Sequence, residues 1–186
     1  METRNRRTRR PRPPLTEASL NDLALAYVGR FATSRAKLAD YLGRKLRERG
    51  WEGDRGPDPR ALAERLAGLG YVDDRAFADG KARALGARGY GARRVGMALH
   101  VAGIAEADRA GADAIVAGQA VEAALRFARR RRLGPFSTAP TGDPKQRERA
   151  MAAMIRAGHP PALSRAILDC GDEAAIDRES LQELIR

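Results

Sequence analysis

The residues that could support catalysis or bind a metal are few and scattered along the sequence. Asp73 and Asp74 are adjacent at a predicted helix start, where Asp73 would accept hydrogen bonds from free backbone N–H groups and Asp74 would favour the helix dipole. Neither His100 nor His159 has a cysteine or carboxylate four residues away, the spacing of a helical metal site. Cys170 has no identifiable base to activate its thiol. We therefore predict no catalytic residue, no metal, no cofactor and no enzymatic activity.

One glycine-rich stretch has two interpretations. The run Gly86-Ala-Arg-Gly-Tyr-Gly91 could cradle a phosphate, although it follows a predicted helix rather than a strand and lacks Gly-Lys-Ser/Thr. Alternatively, it is a turn between helices in which Gly89 and Gly91 supply backbone freedom.

Cationic side chains are far more abundant than catalytic ones. The chain has 35 Lys and Arg residues against 24 Asp and Glu, a net charge of +11. The ranges 1–14 and 126–132 each contribute +5, which leaves the remainder close to neutral. Concentrated arginine attracts nucleic acid or an acidic protein surface. The alternatives are a solubilising tail and, for Arg129–Arg132, cations that complement a helix C-terminus.

Two predicted helices also carry basic faces. One begins near Ser34, and the other carries Arg93, Met97 and His100 at positions i, i+4 and i+7 beside Arg94. Such a face is often only solvated, but both helices occupy equivalent positions in the repeat described below. We predict that a partner or DNA contacts the following residues: Arg35, Lys37, Arg44, Arg47, Arg93, Arg94, Arg129, Arg130, Arg131 and Arg132.

The elements that position these residues are predicted to be helices. Hydrophobic residues make up 43% of the chain but aromatic residues only 5%, so alanine and leucine form most of the core. Capping residues, prolines and glycines divide the chain into nine helices and a short terminal one, and no window alternates like a strand. The mean hydropathy of −0.51 and the lack of a long apolar run exclude a membrane span. A single cysteine excludes an internal disulfide, and we expect a cytoplasmic protein.

A repeated pattern divides the helices into three groups. Gly50, Gly103 and Gly158 each follow apolar residues placed eight and four positions earlier, and the glycines are 53 and 55 residues apart. We predict an all-α fold of three tandem three-helix repeats in an elongated, curved array. The predicted organisation is a disordered basic tail (1–18), repeat 1 (19–70), repeat 2 (71–118), and repeat 3 with a short C-terminal helix (119–186).

Two stretches of the sequence resemble a known family. Leu69-Gly-Tyr-Val-Asp-Asp-Arg-Ala-Phe-Ala78, followed by Arg88-Gly-Tyr-Gly-Ala-Arg-Arg-Val95, Leu99 and Gly103-Ile104, resembles the signature of the RecX family of recombinase regulators. The segments Ser34–Leu38 and Arg47–Trp51 resemble that family's first repeat. The third repeat departs from the family, because Gly158-His-Pro-Pro161 replaces its usual turn, and the loop Leu133–Gly142 looks lineage-specific.

The resemblance implies three helical repeats and a partner, the RecA recombinase. It implies a protein that lies in the groove of the RecA–DNA filament and inhibits ATP hydrolysis and strand exchange, with roles in DNA repair, recombination and the SOS response. Separately, we expect a monomer, although the sequence does not fix the oligomeric state. We expect four residues to hold the scaffold rather than contact the partner: Tyr71, Phe77, Leu99 and Ile104. The alternative function is a helix-turn-helix-like regulator that binds DNA directly, without RecA.

Overall fold

The computed structural model describes residues 12–137 and 143–185, and within these ranges the regular structure is helical. The α-helices are α1 (Glu17–Val28), α2 (Arg35–Arg49), α3 (Pro59–Gly68), α4 (Asp74–Ala87), α5 (Ala92–Val101), α6 (Ala110–Gly118), α7 (Ala120–Arg131), α8 (Pro144–Ala157), α9 (Pro161–Asp169) and α10 (Arg178–Glu183). Two short 3₁₀ helices span Glu106–Asp108 and Gly134–Phe136. The prediction of an all-α protein is confirmed.

Side-chain caps explain where several helices begin. Asp58 accepts hydrogen bonds from two backbone N–H groups at the start of α3, and Asp143 accepts one at the start of α8. Proline follows each aspartate at the first helical position, where its missing N–H costs nothing. At α1 the cap is Thr16, which exchanges hydrogen bonds with Ser19 in a capping box.

The chain divides into two compact units, the first ending at Asp73 and the second beginning at Asp74. The core of the first unit is formed by α1, α2 and α3 together with the segment before α1. Its buried residues are Leu15, Leu20, Ala24, Leu38, Leu42, Leu62, Ala63, Leu66 and Val72.

The predicted disordered tail over 1–18 is wrong at its C-terminal end. Leu15 is completely buried, its N–H donates to the carbonyl of Gly50 at 3.0 Å, and its own carbonyl accepts from Glu52 at 2.8 Å. These two bonds form an isolated parallel bridge with Trp51. Burial of a leucine and two backbone bonds offset the entropy lost by ordering this segment. The rest of the predicted tail, 1–11, lies outside the described residues.

The second unit contains two hydrophobic clusters. One joins α4, α5 and α6 through buried residues that include Ala78, Val95, Leu99 and Ala112. The other joins α7 to α10 and includes buried Leu125, Met154, Leu163, Ile167 and Leu181.

The three glycines of the repeated pattern all have positive φ. Gly50, Gly103 and Gly158 follow α2, α5 and α8 with φ of 81°, 68° and 95°, in the region that favours glycine. The apolar residues eight and four positions before each glycine are buried or half-buried.

Three local expectations are corrected. The sequence from Ala105 to Val116, which Gly118 follows, predicts one helix, but this helix is interrupted, because a 3₁₀ turn at Glu106–Asp108 precedes α6. The loop predicted over 133–142 begins with the second 3₁₀ turn, and its part 138–142 lies outside the described residues. Tyr71 is 57% exposed and so is not a scaffold residue, whereas Leu99 and Ile104 are buried and Phe77 is half-buried.

None of the helices in the described ranges has the length and apolarity needed to cross a bilayer.

Candidate polyanion interface

Three arginines surround one tyrosine ring in the second unit. Tyr90 lies in the turn between α4 and α5, and its half-buried ring packs against the hydrophobic cluster of α7–α10. The guanidinium carbons of Arg88, Arg94 and Arg130 lie 5.4, 5.8 and 6.0 Å from the ring centroid, within the range of cation–π attraction. We call Arg88, Tyr90, Arg94 and Arg130 the Tyr90 cluster. Because all three arginines are exposed, the cluster forms a cationic surface.

Close backbone packing holds the Tyr90 turn in place. The N–H of Gly91 donates to the carbonyl of Ala157, the last residue of α8, at 2.9 Å. A Cβ on Gly91 would lie 2.4 Å from the carbonyl oxygen of Gly158, and a Cβ on Gly158 would lie 2.4 Å from the backbone nitrogen of Arg94. Only glycine fits on both sides. This contact supports the interpretation of Gly86–Gly91 as an interhelical turn, because the Gly91 N–H already has a partner.

The arginines in and beside the cluster bond to backbone carbonyls. Arg130 donates to the carbonyl of Arg88 at 2.6 Å, Arg126 to that of Gly86 at 2.9 Å, and Arg93 to a carbonyl of α8 at 2.9 Å. Within the described ranges, no carboxylate lies within ion-pair distance of these arginines or of Arg94. A carbonyl orients a guanidinium without cancelling its charge. The surface therefore keeps its positive potential and can attract phosphate or carboxylate groups.

A buried histidine supports the same turn from the inside. His159 is 4% exposed, its Nε2 lies 3.1 Å from the carbonyl oxygen of Gly89, and its ring centroid is 5.7 Å from that of Phe127. Burial lowers the pKa of His159, and the bond to Gly89 opposes this effect. The neutral ring donates from Nε2, while Nδ1 has no hydrogen-bond partner. His159 thus has a structural role in this turn.

The run Arg129–Arg132 does not form one patch. Arg129 pairs with Glu173, and its guanidinium carbon lies 4.9 Å from the centroid of Phe136. Arg130 joins the Tyr90 cluster, and Arg131 is the exposed last residue of α7. Arg132 caps the helix in the left-handed region with φ of 53°. The structure therefore supports both sequence interpretations, a helix C-terminus and a cationic surface, for different members of the run.

The basic face of α2 belongs to the first unit and is partly neutralised. Arg35 pairs with Glu64 at 3.1 Å, and Glu48 pairs with Lys45 at 2.5 Å and with Arg44 at 3.7 Å. The hydrogen bond from Lys45, with the nearby positive charges, lowers the pKa of Glu48. Two further predicted contact residues are exposed on this helix, Lys37 and Arg47.

Comparison with known proteins gives the family. A curated protein named Regulatory protein RecX, from Myxococcus xanthus (strain DK1622), is 32% identical over 174 residues, covering 89% of this chain and 92% of that protein. The chain belongs to the RecX family. The crystal structure of RecX from Lactobacillus salivarius shares the fold, with a TM-score of 0.56 and 17% identity over 82% of this chain and 96% of that chain. No protein-family profile matches the chain.

The RecX signature contains contact candidates that the sequence analysis missed. Arg88 and Tyr90 belong to that signature, and Arg126 lies one helical turn before Arg130 on α7. Two sequence signals could have indicated these contacts: Tyr90 has arginines on both sides, and Arg126 and Arg130 form an i, i+4 pair. Sequence spacing alone does not show that the two groups of arginines lie together, because this depends on the packing of α7 against the turn.

The other reactive residues of this chain have ordinary environments. The thiol of Cys170 donates to the carbonyl of Ala166 at 3.2 Å. Burial, followed by the charges of Asp169 and Asp172, raises the pKa of Cys170 and so disfavours the nucleophilic thiolate. In the part of the chain that the structure describes, no group of three His, Cys, Asp or Glu residues could hold a metal ion.

Proposed function

We propose that this protein binds the RecA–DNA filament and restrains RecA's ATP hydrolysis and strand exchange without catalysing a reaction itself. The observation that carries the proposal is the 32% identity, over nine tenths of the chain, to a protein named Regulatory protein RecX. The Tyr90 cluster supports it with a cationic surface that suits a polyanionic target.

The mechanism is electrostatic and steric. The Tyr90 cluster and its neighbours bind phosphates or acidic side chains, and the bound protein obstructs the second DNA strand or the exchange of RecA subunits. RecA's own site carries out the hydrolysis. Binding requires no cofactor, and one copy of the chain acts at each site.

The proposed contact set extends beyond the cluster. It keeps the ten residues predicted from the sequence and adds Arg88 and Arg126 from the structure. The full set is Arg35, Lys37, Arg44, Arg47, Arg88, Arg93, Arg94, Arg126, Arg129, Arg130, Arg131 and Arg132. Of these, Arg88, Arg93, Arg94, Arg126 and Arg130 have the strongest structural support, because carbonyls or an aromatic ring orient them while their charge stays unpaired.

We further propose that the helices form three stacked repeats in an elongated, curved array, with boundaries at 19–70, 71–118 and 119–186. Two observations support this arrangement. The hydrophobic clusters fall in three consecutive stretches of sequence, and the middle helix of each stretch ends before a glycine with positive φ. An array of this kind presents a long surface, which suits a filament groove.

A purified-component assay tests the proposed function. RecA ATPase and strand exchange are measured on single-stranded DNA, and binding to naked DNA is measured in parallel at about 50 and 200 mM salt, a range in which phosphate-dominated binding weakens by orders of magnitude. We expect inhibition of RecA at protein concentrations that leave naked DNA largely unbound. Tight DNA binding without any effect on RecA would contradict the proposal and favour the direct DNA-binding alternative.

A further inference from the structure

Three aromatic rings form a small exposed patch in the first unit, separate from the residues discussed above. Tyr27 and Phe31 lie at and just beyond the end of α1, and Tyr41 lies on α2. The rings of Tyr27 and Tyr41 are stacked, with centroids 4.1 Å apart, and Phe31 follows at 5.3 Å from Tyr27. We call these three residues the aromatic patch.

Packing in the core does not explain the position of Phe31, the most exposed of the three rings. Tyr27 and Tyr41 pack partly against the core of the first unit, whereas Phe31 is 54% exposed. The backbone N–H of Phe31 donates to the carbonyl of Tyr27 at 3.0 Å, so this ring is presented on an ordered turn. The chain has only one Trp, four Tyr and four Phe residues, and three of these nine meet in the patch.

Cations border the aromatic patch. The guanidinium carbon of Arg44 and the ammonium nitrogen of Lys45 lie 5.5 and 5.9 Å from the ring centroid of Tyr41, and exposed Arg30 immediately precedes Phe31 in sequence. Glu48 pairs with both Arg44 and Lys45 and cancels part of their charge. Exposed Asp40 immediately precedes Tyr41 in sequence, so two carboxylates stand against three cations and the border keeps a net positive charge.

An exposed aromatic ring beside phosphate-binding cations is the chemistry that recognises unpaired nucleic acid. Bases stack on such rings in a sequence-tolerant way, while the cations follow the phosphate backbone. A duplex offers no free base face away from its ends, so the ring distinguishes single strands from double strands. We propose that the aromatic patch is a base-stacking site for single-stranded DNA, with a base on the Phe31 ring and phosphates on Arg30 and Arg44.

The test measures binding of the full-length protein to fluorescent oligo(dT), and to a duplex of equal length, in the absence of RecA. Phe31→Ala should weaken oligo(dT) binding about 5- to 150-fold, the range expected for losing one stacked base. Phe31→Tyr keeps a ring and should stay within about threefold of wild type. Tyr71→Ala, which removes a similarly exposed ring elsewhere in the first unit, should leave binding unchanged.

A spectroscopic readout keeps the test independent of small changes in stability. Trp51 is the sole tryptophan, so Phe31→Trp adds one reporter at the patch. Oligo(dT) should quench the emission of Phe31→Trp more strongly than that of wild type, because a stacked base contacts the added indole. Equal quenching in the two proteins would overturn the proposal, as would an oligo(dT) affinity unaffected by Phe31→Ala or a loss shared equally with the duplex.

Measuring RecA ATPase inhibition with the same variants separates this inference from the proposed function. Phe31→Ala should weaken oligo(dT) binding whether or not the protein inhibits RecA. Unchanged oligo(dT) affinity with lost RecA inhibition would assign the patch to a protein contact and overturn base stacking. Failure of every variant, including wild type, to inhibit RecA would contradict the proposed function alone.

Discussion

Two glycines and one histidine determine how the Tyr90 turn packs against the end of α8. Gly91 and Gly158 bring two backbones to distances that leave no room for a Cβ on either residue. His159 fills the adjacent space and bonds to the carbonyl of Gly89. These three residues position Arg94 and Tyr90.

Substitution of Gly91 tests this close contact. Gly91→Ala should lower the free energy of unfolding by about 1–3 kcal/mol, because its Cβ forces the turn and α8 apart. Gly80→Ala is the matched control: nothing lies within 4 Å of its added Cβ on α4, so it should stabilise by about 0.5–1 kcal/mol. Urea unfolding measures both values. Equal effects of the two substitutions would show that the contact does not constrain the fold.

Burial of His159 predicts a pH dependence of stability. The pKa of His159 is lowered in the folded protein, so below the unfolded value of 6.5 the unfolded chain binds the proton more readily. Its contribution to stability is present above pH 6.5 and is lost as pH falls through the folded pKa. His159→Gln, which keeps a side-chain donor but does not titrate, should show a smaller loss of stability than wild type between pH 7.5 and about 5.5. Urea unfolding at both pH values measures the difference, and equal losses would contradict this assignment.

Some residues of the candidate site could be predicted from the sequence and others could not. Arg93, Arg94 and Arg130 were predicted as contacts from their charge, but Arg88 and Tyr90 were not. His159 was interpreted only as part of a turn before two prolines. Both gaps have the same cause, because the environment of a side chain depends on residues more than 30 positions away, such as Arg130 for Tyr90 and Gly89 for His159.

At the scale of helices, local signals were more informative. Capping residues, prolines and glycines predicted the number of α-helices found in 12–137 and 143–185, because each signal acts on its own helix end. Two boundaries were wrong. Ser19 and Asp22 have the spacing of a capping box, but the box at α1 is instead formed by Thr16 and Ser19, since burial of Leu15 fixes the chain before α1. The 3₁₀ turn at Glu106–Asp108 was missed because its sequence is compatible with a continuous helix.

The two faces of α5 provide a test of its amphipathic pattern. Leu99 is completely buried in the cluster of α4, α5 and α6, whereas Val101, two residues later on the same helix, is 76% exposed. Leu99→Ala should therefore cost about 2–5 kcal/mol of unfolding free energy by creating a cavity. Val101→Ala should change it by less than about 0.5 kcal/mol. Thermal and urea unfolding compare the two variants, and similar costs would mean that α5 is packed in another orientation.

At the scale of the whole chain, the proposed three-repeat array predicts an extended particle. A compact globule of 186 residues has a radius of gyration of about 16 Å. Small-angle X-ray scattering should give a clearly larger value, with an asymmetric distribution of interatomic distances. The measurement is made on the full chain and on a variant that lacks residues 1–11, so that these residues do not decide the outcome. A value of about 16 Å for the shortened chain would contradict the array.

Charge composition at this scale predicted a polyanionic target but not the surface that we propose for its binding. Most of the excess positive charge lies in 1–14 and 126–132, yet the cluster with the strongest structural support combines Arg88 and Arg94 with only Arg130 from those ranges. Net charge is a sum over the chain, whereas binding depends on which guanidinium groups packing brings together. A test of the function must therefore separate the position of the charge from its amount.

The most direct measurement is inhibition of RecA ATPase on single-stranded DNA by two charge-matched triple variants. One replaces Arg88, Arg94 and Arg130 with Gln. The other replaces the exposed residues Arg60, Arg149 and Arg165 with Gln and so loses the same net charge. With both variants confirmed as folded by circular dichroism, we expect the half-inhibitory concentration of the first to rise at least about tenfold, the equivalent of 1.4 kcal/mol of binding, and that of the second to stay near wild type. Equal shifts for the two variants, or no shift for the first, would contradict the role assigned to the Tyr90 cluster.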